Sequence, residues 1–365
     1  MTTMTHGGDV FGAARRLGIP ISQLTDFSAS INPMGISHRA LRRLKRELPL
    51  VRHYPDAAQQ ELRDLIASEE KIDSQCILFG NGATQLLHLL SRWLNPRKAL
   101  LLAPGFSEYR SALQHLDCKI AEYTLEPEEH FQFKLADLML CIDEKRPGLV
   151  VLANPNNPTG TLVSRSALVE LAKCCRDRAI HLVLDESFLD FTSQPSLAPL
   201  AARQDYLIVV RSLTKFYALA GLRIGYLVAL RPVIHALADC IEPWSVNTLA
   251  LIAAAESLKD VEYRERTLAL VASEREYLSN GLKRLQWLEP FRSQSNFLLA
   301  HIKLPGVSGM DLRCALEKDR ILVRDSTGFH GLSSQFIRVA VRARRKNQLL
   351  LKALRTFGSH FPRET

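Results

Sequence analysis

Between residues 77 and 229 the chain repeats one pattern: short, unbroken apolar runs separated by longer amphipathic stretches. The runs are Ile77-Leu-Phe, Ala99-Leu-Leu-Leu-Ala, Leu149-Val-Val-Leu-Ala, Ile180-His-Leu-Val-Leu, Tyr206-Leu-Ile-Val-Val and Ile224-Gly-Tyr-Leu-Val-Ala. A strand with no polar alternation must be covered on both faces, which requires a mostly parallel sheet between two layers of helices. Helix-like segments such as Thr84 to Leu94 and Ser166 to Arg178 lie between the runs. The pattern predicts an α/β, doubly wound large domain. After a helical region at about 233 to 285, strand-like Phe297-Leu-Leu-Ala and Phe336-Ile-Arg-Val-Ala-Val alternate with helical Gly309 to Lys318 and Lys346 to Thr356. That predicts a smaller α+β domain. At ~150 residues per domain the length suggests two units: residues 46–245 as the large domain, and 1–45 plus 246–365 as an N-terminal segment with the small domain.

Composition narrows the class further. With 47% apolar and 23% charged residues, the chain is neither disordered, collagenous nor a disulfide scaffold. Its most apolar stretch, Leu249 to Ala255, is far short of the ~20 residues that span a bilayer. The start of the sequence lacks the basic and apolar regions of a signal peptide. Seven cysteines form no CxxC pair, which reads as reduced thiols in the cytoplasm. Eleven histidines lack metal-ligand spacing, so no metal site is expected. The net charge of +9 leaves nucleic acid, an anionic surface or phosphorylated small ligands open. No aromatic residues interleave with the basic stretches Arg39 to Arg46 and Arg338 to Arg355, so neither nucleic acid nor membrane is expected as a partner. Arg39 to Arg46 and Arg342 to Lys346 read as solvated surface.

In open α/β sheets ligands bind beyond the carboxyl ends of the strands, and here those ends carry chemistry. After the first run comes Gly80-Asn-Gly-Ala-Thr84, a glycine-rich turn opening a helix, which suits a phosphate. The others lead into Asn154-Pro-Asn-Asn-Pro-Thr-Gly160, Asp185-Glu-Ser-Phe188, and Arg211-Ser-Leu-Thr-Lys215 with Arg223 beyond. Taken singly each has an ordinary reading: a turn, a helix cap, a surface lysine, an ion-pair partner.

Together and in this order they resemble the fold-type-I pyridoxal-phosphate enzymes of the class I/II aminotransferase family, over about residues 25 to 355. The resemblance implies that family's fold and pyridoxal 5′-phosphate as cofactor. Lys215 matches the lysine that condenses with the cofactor aldehyde, and a desolvated lysine can lose its proton for that purpose. Asp185 matches the carboxylate beside the ring nitrogen, which makes the ring an electron sink. Asn157 matches the ring-hydroxyl partner, and Phe106 the aromatic stacked on the ring. The cofactor phosphate is expected at Gly82, Ala83, Thr84, Ser212, Thr214 and Arg223. Tyr54 resembles a tyrosine that reaches the phosphate of a second subunit, implying a homodimer with shared sites. One departure stands out: the family commonly has tyrosine where this chain has Phe188.

The two ends of the sequence hold the expected substrate side. Arg338 matches the family arginine that grips an α-carboxylate, and Arg324 is a candidate second anion site. His6-Gly-Gly-Asp9 with Asp26-Phe-Ser-Ala-Ser-Ile-Asn-Pro resembles the threonine-phosphate decarboxylase branch of the family, tied to cobalamin biosynthesis. That branch implies decarboxylation of L-threonine O-3-phosphate to (R)-1-amino-2-propanol O-2-phosphate. His6, Gly7, Asn32, Asn157, Arg324 and Arg338 are then the expected substrate ligands. The alternative is an aminotransferase acting on histidinol phosphate or a similar phosphorylated amine. A transcription regulator of the same fold is disfavoured, because the resemblance begins near residue 25 and leaves no room for a DNA-binding module.

Overall fold

The structure, a computed structural model, describes residues 6–361. A short strand, β1 (Thr25–Asp26), precedes the large sheet. The sheet consists of β2 (Ile77–Gly80), β3 (Lys98–Ala103), β4 (Lys119–Thr124), β5 (Leu149–Ala153), β6 (His181–Asp185), β7 (Leu207–Ser212) and β8 (Gly225–Val228). All six apolar runs are strands. The seventh, β4, has the polar sequence Lys-Ile-Ala-Glu-Tyr-Thr and is only partly buried. It is an edge strand paired to β3 alone, so no double-sided burial marks it in the sequence. The order across the sheet is β2-β8-β7-β6-β5-β3-β4. All neighbours are parallel except β8, which runs antiparallel to both β2 and β7. The chain order reverses between β3 and β5, and at such a switch point the loops part to leave a crevice.

A second sheet follows: β9 (Leu288–Pro290), β10 (Phe297–Ile302), β11 (Ile321–Leu322), β12 (Arg324–Asp325) and β13 (Phe336–Ala340). Four of these form an antiparallel sheet ordered β12-β13-β10-β9, while β11 pairs in parallel with β1. The early segment is therefore tied to the small sheet. The Phe27 N–H donates to the Leu322 carbonyl at 2.7 Å, and Ala340 N–H to the Phe27 carbonyl at 2.8 Å.

Three apolar cores result among the described residues. Two cover the faces of the large sheet, one centred on Phe79, Leu100 and Leu184, the other on Leu86, Leu101 and Val210. The third lies between the small sheet and its helices, around Phe27, Leu298 and Leu350. Ala250 and Ala254 of the helix Thr248–Leu258 pack into the first core. Leu278 and Leu282, late in the helix Val261–Lys283, belong to the third. That long helix runs from one core to the other.

The basic stretches are less solvated than their sequences suggest. Arg43 reaches Glu61 at 2.7 Å and Glu256 at 3.2 Å. Arg342, read as surface, instead donates to three carbonyls of one segment: Asp26 at 2.6 Å, Ile31 at 3.0 Å and Ala29 at 3.0 Å. Its planar fork suits three diverging acceptors, which a lysine cannot match. Replacing Arg342 by alanine is expected to cost about 2–4 kcal/mol through lost charge-assisted bonds, read as a lower urea midpoint. Arg342→Lys should recover only a part.

Candidate active site

A cavity opens at the carboxyl ends of the large sheet and is walled on the far side by the small sheet and the early segment. Ala83 and Thr84 after β2, Phe106 after β3, Asn157 after β5, Asp185 at the end of β6 and Ser212 at the end of β7 all line it. Thr214, Lys215 and Arg223 complete its floor, and Arg324 and Arg338 its small-sheet wall. His6 and Gly7 border it from the N-terminal side. The fold thus gathers most of the expected residues around one space.

At one end of the floor the chain builds an anion cradle. The helix Ala83–Leu94 begins directly after Gly82, whose φ is +82°. A side chain there would be strained, and its Cβ would collide with the Arg223 guanidinium. That helix start, the Arg223 guanidinium and two hydroxyls, Ser212 Oγ and Thr214 Oγ1, which lie 2.7 Å apart, line the same cavity. Helix starts favour anions through their free N–H groups and the helix dipole.

At the other end lies a buried carboxylate. Asp185 Oδ2 accepts from the Tyr109 hydroxyl at 2.7 Å, and its Oδ1 from the Ser187 N–H at 2.8 Å. Burial pushes its pKa up, while those bonds and the nearby Lys215 charge oppose the rise. Burial and Asp185 together push the Tyr109 phenol well above its usual range, so it remains a donor. Nothing in the sequence singles out Tyr109, which stands three residues after Phe106 on the short helix Ser107–Leu113 that Phe106 precedes. Behind this pair, buried Arg211 sits 3.2 Å from Glu186 and 2.5 Å from Asp190. It ties the ends of β6 and β7 together just below Asp185 and Ser212.

Lys215 lines the same cavity and feels the charges of both Arg223 and Asp185. Burial, then the charges of Arg338 and Arg223, lower its ammonium to about 8. Desolvation and two like charges both favour the neutral amine, the nucleophilic form. On the opposite wall, burial and Arg324 lower Arg338 to about 9. Arg338 donates to Asn157 Oδ1 and, at 2.9 Å, to the Ser28 carbonyl. Arg324 lies 5.0 Å and Arg338 5.8 Å from the centre of the same Phe329 ring. Two guanidiniums beside one ring give this wall a cationic face, offset in part by buried Asp325, 3.2 Å from Arg324.

One expectation needs revision, and two residues call for a note on their position. Asn32 does not face the cavity. It is buried, with its side-chain amide near the Phe216 carbonyl at 2.7 Å, Thr267 at 2.8 Å and Tyr263 at 2.9 Å. Its backbone N–H donates to the Lys215 carbonyl at 3.0 Å, so it braces the lysine turn instead of meeting a ligand. Tyr54 lies outside the cavity, 79% exposed and stacked on Trp244 at 4.5 Å. Phe188 lines the cavity and packs edge-on against Phe297 at 5.0 Å. It offers no hydroxyl where the family commonly has one.

The sequence profile described as "Aminotransferase class I and II" matches residues 22–357. A threonine-phosphate decarboxylase of Salmonella typhimurium is 36% identical over 354 residues, covering 96% of this chain and 95% of that protein. Among solved structures, L-threonine-O-3-phosphate decarboxylase from Porphyromonas gingivalis superposes with a TM-score of 0.80 and 27% identity, covering 91% of this chain and 98% of that one. Histidinol-phosphate aminotransferase from Clostridium acetobutylicum superposes with a TM-score of 0.84 and 27% identity, covering 92% and 99%. With the strand-end motifs, the cavity they surround and a match over nearly its whole length, the chain belongs to the class I and II aminotransferase family.

Proposed function

We propose that the chain removes the α-carboxylate of L-threonine O-3-phosphate as carbon dioxide and releases (R)-1-amino-2-propanol O-2-phosphate. The cofactor is pyridoxal 5′-phosphate, and the product belongs to the aminopropanol arm of cobalamin biosynthesis. The observation that carries this reading is the pair Arg324 and Arg338 beside one ring, lining the same cavity as Lys215. A substrate bearing both a carboxylate and a phosphate suits such a wall. The similarity to threonine-phosphate decarboxylases supports the same choice.

The residues fit the cofactor. The cradle of Gly82, Ala83, Thr84, Ser212, Thr214 and Arg223 suits its phosphate, and a side chain at Gly82 would fill the space that Arg223 uses. Buried Asp185 suits a protonated ring nitrogen, Phe106 a ring face, and Asn157 a ring hydroxyl. When bound, the cofactor supplies an aldehyde that condenses with amines and a cationic ring that accepts the electron pair left by a departing group.

The chain's own residues do the rest. Lys215 would hold the cofactor aldehyde until the substrate amine displaces it, and would take up the proton that the substrate's ammonium gives up. Arg324, Arg338 and His6 hold the two anionic groups, which fixes rotation about the substrate Cα. Held so, the bond to the carboxylate would break with loss of carbon dioxide, its electron pair passing into the ring of the bound cofactor. Lys215, as ammonium, then returns a proton to Cα. Phe106, Phe188 and Phe329 keep the region apolar and limit water. We take the enzyme to act in the cytoplasm as a homodimer, with Tyr54 presented to the cofactor phosphate of a second copy.

The second reading is an aminotransferase acting on histidinol phosphate, favoured by the likeness to such a structure. A paired assay separates the two. Holoenzyme with L-threonine O-3-phosphate alone should yield aminopropanol phosphate. Glutamate formed from 2-oxoglutarate and histidinol phosphate would establish the other reaction.

The lowered Lys215 ammonium sets a pH dependence. A cation held at about 8 frees its amine as pH rises through that value, not through the usual range near 10.4. The rate at which apoenzyme takes up the cofactor should rise about fivefold from pH 7 to 8 and less than about twofold from pH 8 to 9. Stopped-flow absorbance measures this. Arg338→Ala should move the midpoint upward by removing a like charge.

A further inference from the structure

Glu108 has no place in the chemistry above, yet it occupies a distinctive position. It lies in the first turn of the short helix Ser107–Leu113, two residues after Phe106. One carboxylate oxygen is 2.8 Å from His6 Nε2, and the other is 3.0 Å from His88 Nε2. His88 belongs to the helix Ala83–Leu94, whose start forms the anion cradle. Both imidazoles hold the Glu108 carboxyl down to about 2, so the acceptor stays ionised throughout the physiological range. A charged group in contact with two rings is a stronger anchor than a neutral one.

What Glu108 anchors is a strap. The His6 ring also sits 5.9 Å from the Phe106 ring. Next along the chain, Gly7 lies so close to Ser28 that a Cβ would overlap the Ser28 carbonyl. The Gly8 N–H donates to Ser28 Oγ at 2.7 Å, and that hydroxyl donates to Asp26 Oδ1 at 2.6 Å. The Ser28 carbonyl is the acceptor that holds Arg338. The strap therefore joins two places on the cavity rim: Glu108 at one end, and the support of the substrate-side arginine at the other.

We propose that Glu108 is a positioning residue. By fixing His6 against the helix that carries His88, it holds the segment His6–Asp9 across the cavity mouth, where it closes on the phosphate of the bound substrate. The proposal rests on the reading of the cavity as a site for a phosphorylated amino acid. His6 is the group that meets the ligand, and Glu108 acts through it.

The test is a double-mutant cycle in holoenzyme with L-threonine O-3-phosphate. Glu108→Ala should raise KM about tenfold, the size of one charge-assisted hydrogen bond, with kcat changed less than about twofold and the cofactor absorbance unchanged. In a His6→Ala background the same substitution should have no further effect on KM. Glu108→Gln, which keeps the shape of the side chain, should give a smaller rise of about two- to fivefold. Hydrogen exchange of the peptide containing residues 6–12, measured without substrate, should be faster in both Glu108 variants. A KM effect that persists in the His6→Ala background, or an altered cofactor spectrum, would overturn the proposal in favour of a purely structural role. So would unchanged exchange in the strap. Because the exchange measurement needs no substrate, a wrong substrate assignment leaves it intact and is told apart from a wrong role for Glu108.

Discussion

Lys215→Ala is expected to abolish the absorbance band of lysine-bound cofactor near neutral pH and to lower decarboxylation by at least about 10³-fold, since the proposed mechanism assigns both nucleophile and proton donor to this one amine. The physical reason lies in the position of the amine. It is buried in the cavity and lowered to about 8 by that burial and by Arg338 and Arg223. No other lysine lines the cavity among the described residues, so none can take over. Lys215→Arg should be equally inactive despite its charge, because a guanidinium does not release its proton in this range. The cradle residues are untouched by either change. Apparent cofactor affinity should therefore fall far less than turnover, and equilibrium dialysis would show it. A band that survives Lys215→Ala would mean that another amine carries the cofactor.

Asp185→Asn should be the next most damaging change, lowering kcat by about 10²–10³-fold, the usual range for removing a preorganised charge from a reacting centre. Asparagine has nearly the same shape and still offers one oxygen to the Ser187 N–H or the Tyr109 hydroxyl. The fold should therefore persist, visible as an unchanged urea midpoint to within about 1 kcal/mol. What disappears is the negative charge that, in the proposed site, would keep the cofactor's ring nitrogen protonated. KM for the substrate should move little, because Arg324 and Arg338 are unaffected. Tyr109→Phe provides the comparison. It removes one donor from Asp185 but leaves the charge, so it should lower kcat by about tenfold or less.

The parts of this molecule that were legible in the chain share a cause. Strands buried on both faces leave unbroken apolar runs, so β2, β3 and β5 to β8 could be read directly, as could the motif residues placed just beyond them. The parts that were not legible depend on contacts between distant segments. Nothing local marks β4 as a strand, because an edge strand needs no apolar alternation on both faces. Asn32 has the composition of a ligand residue, but only the fold shows its amide facing Tyr263 and Thr267 on a helix more than two hundred residues away. Tyr109 could have been found by asking which polar group one helical turn beyond Phe106 would face the sheet. Arg342 looked like solvent-exposed charge because its three acceptors are backbone carbonyls, which leave no trace in side-chain pattern.

The basic balance of the chain also resolves into distinct roles. Arg223, Arg324 and Arg338 surround the cavity. Arg211 and Arg342 serve as internal clamps. Arg39 and Arg43 are matched by Glu256 and Glu61 on neighbouring helices. Exposed pairs of that kind contribute little to stability. The anionic partner that the excess charge suggests is, in this reading, a pair of small phosphorylated molecules bound side by side.

The most direct measurement of the central claim uses L-threonine O-3-phosphate labelled in its carboxyl carbon, incubated with holoenzyme and no keto acid. The account predicts one labelled carbon dioxide released per aminopropanol phosphate formed, over many turnovers, at a rate that 2-oxoglutarate does not increase. Absence of labelled carbon dioxide, with turnover appearing only when 2-oxoglutarate is supplied, would contradict it.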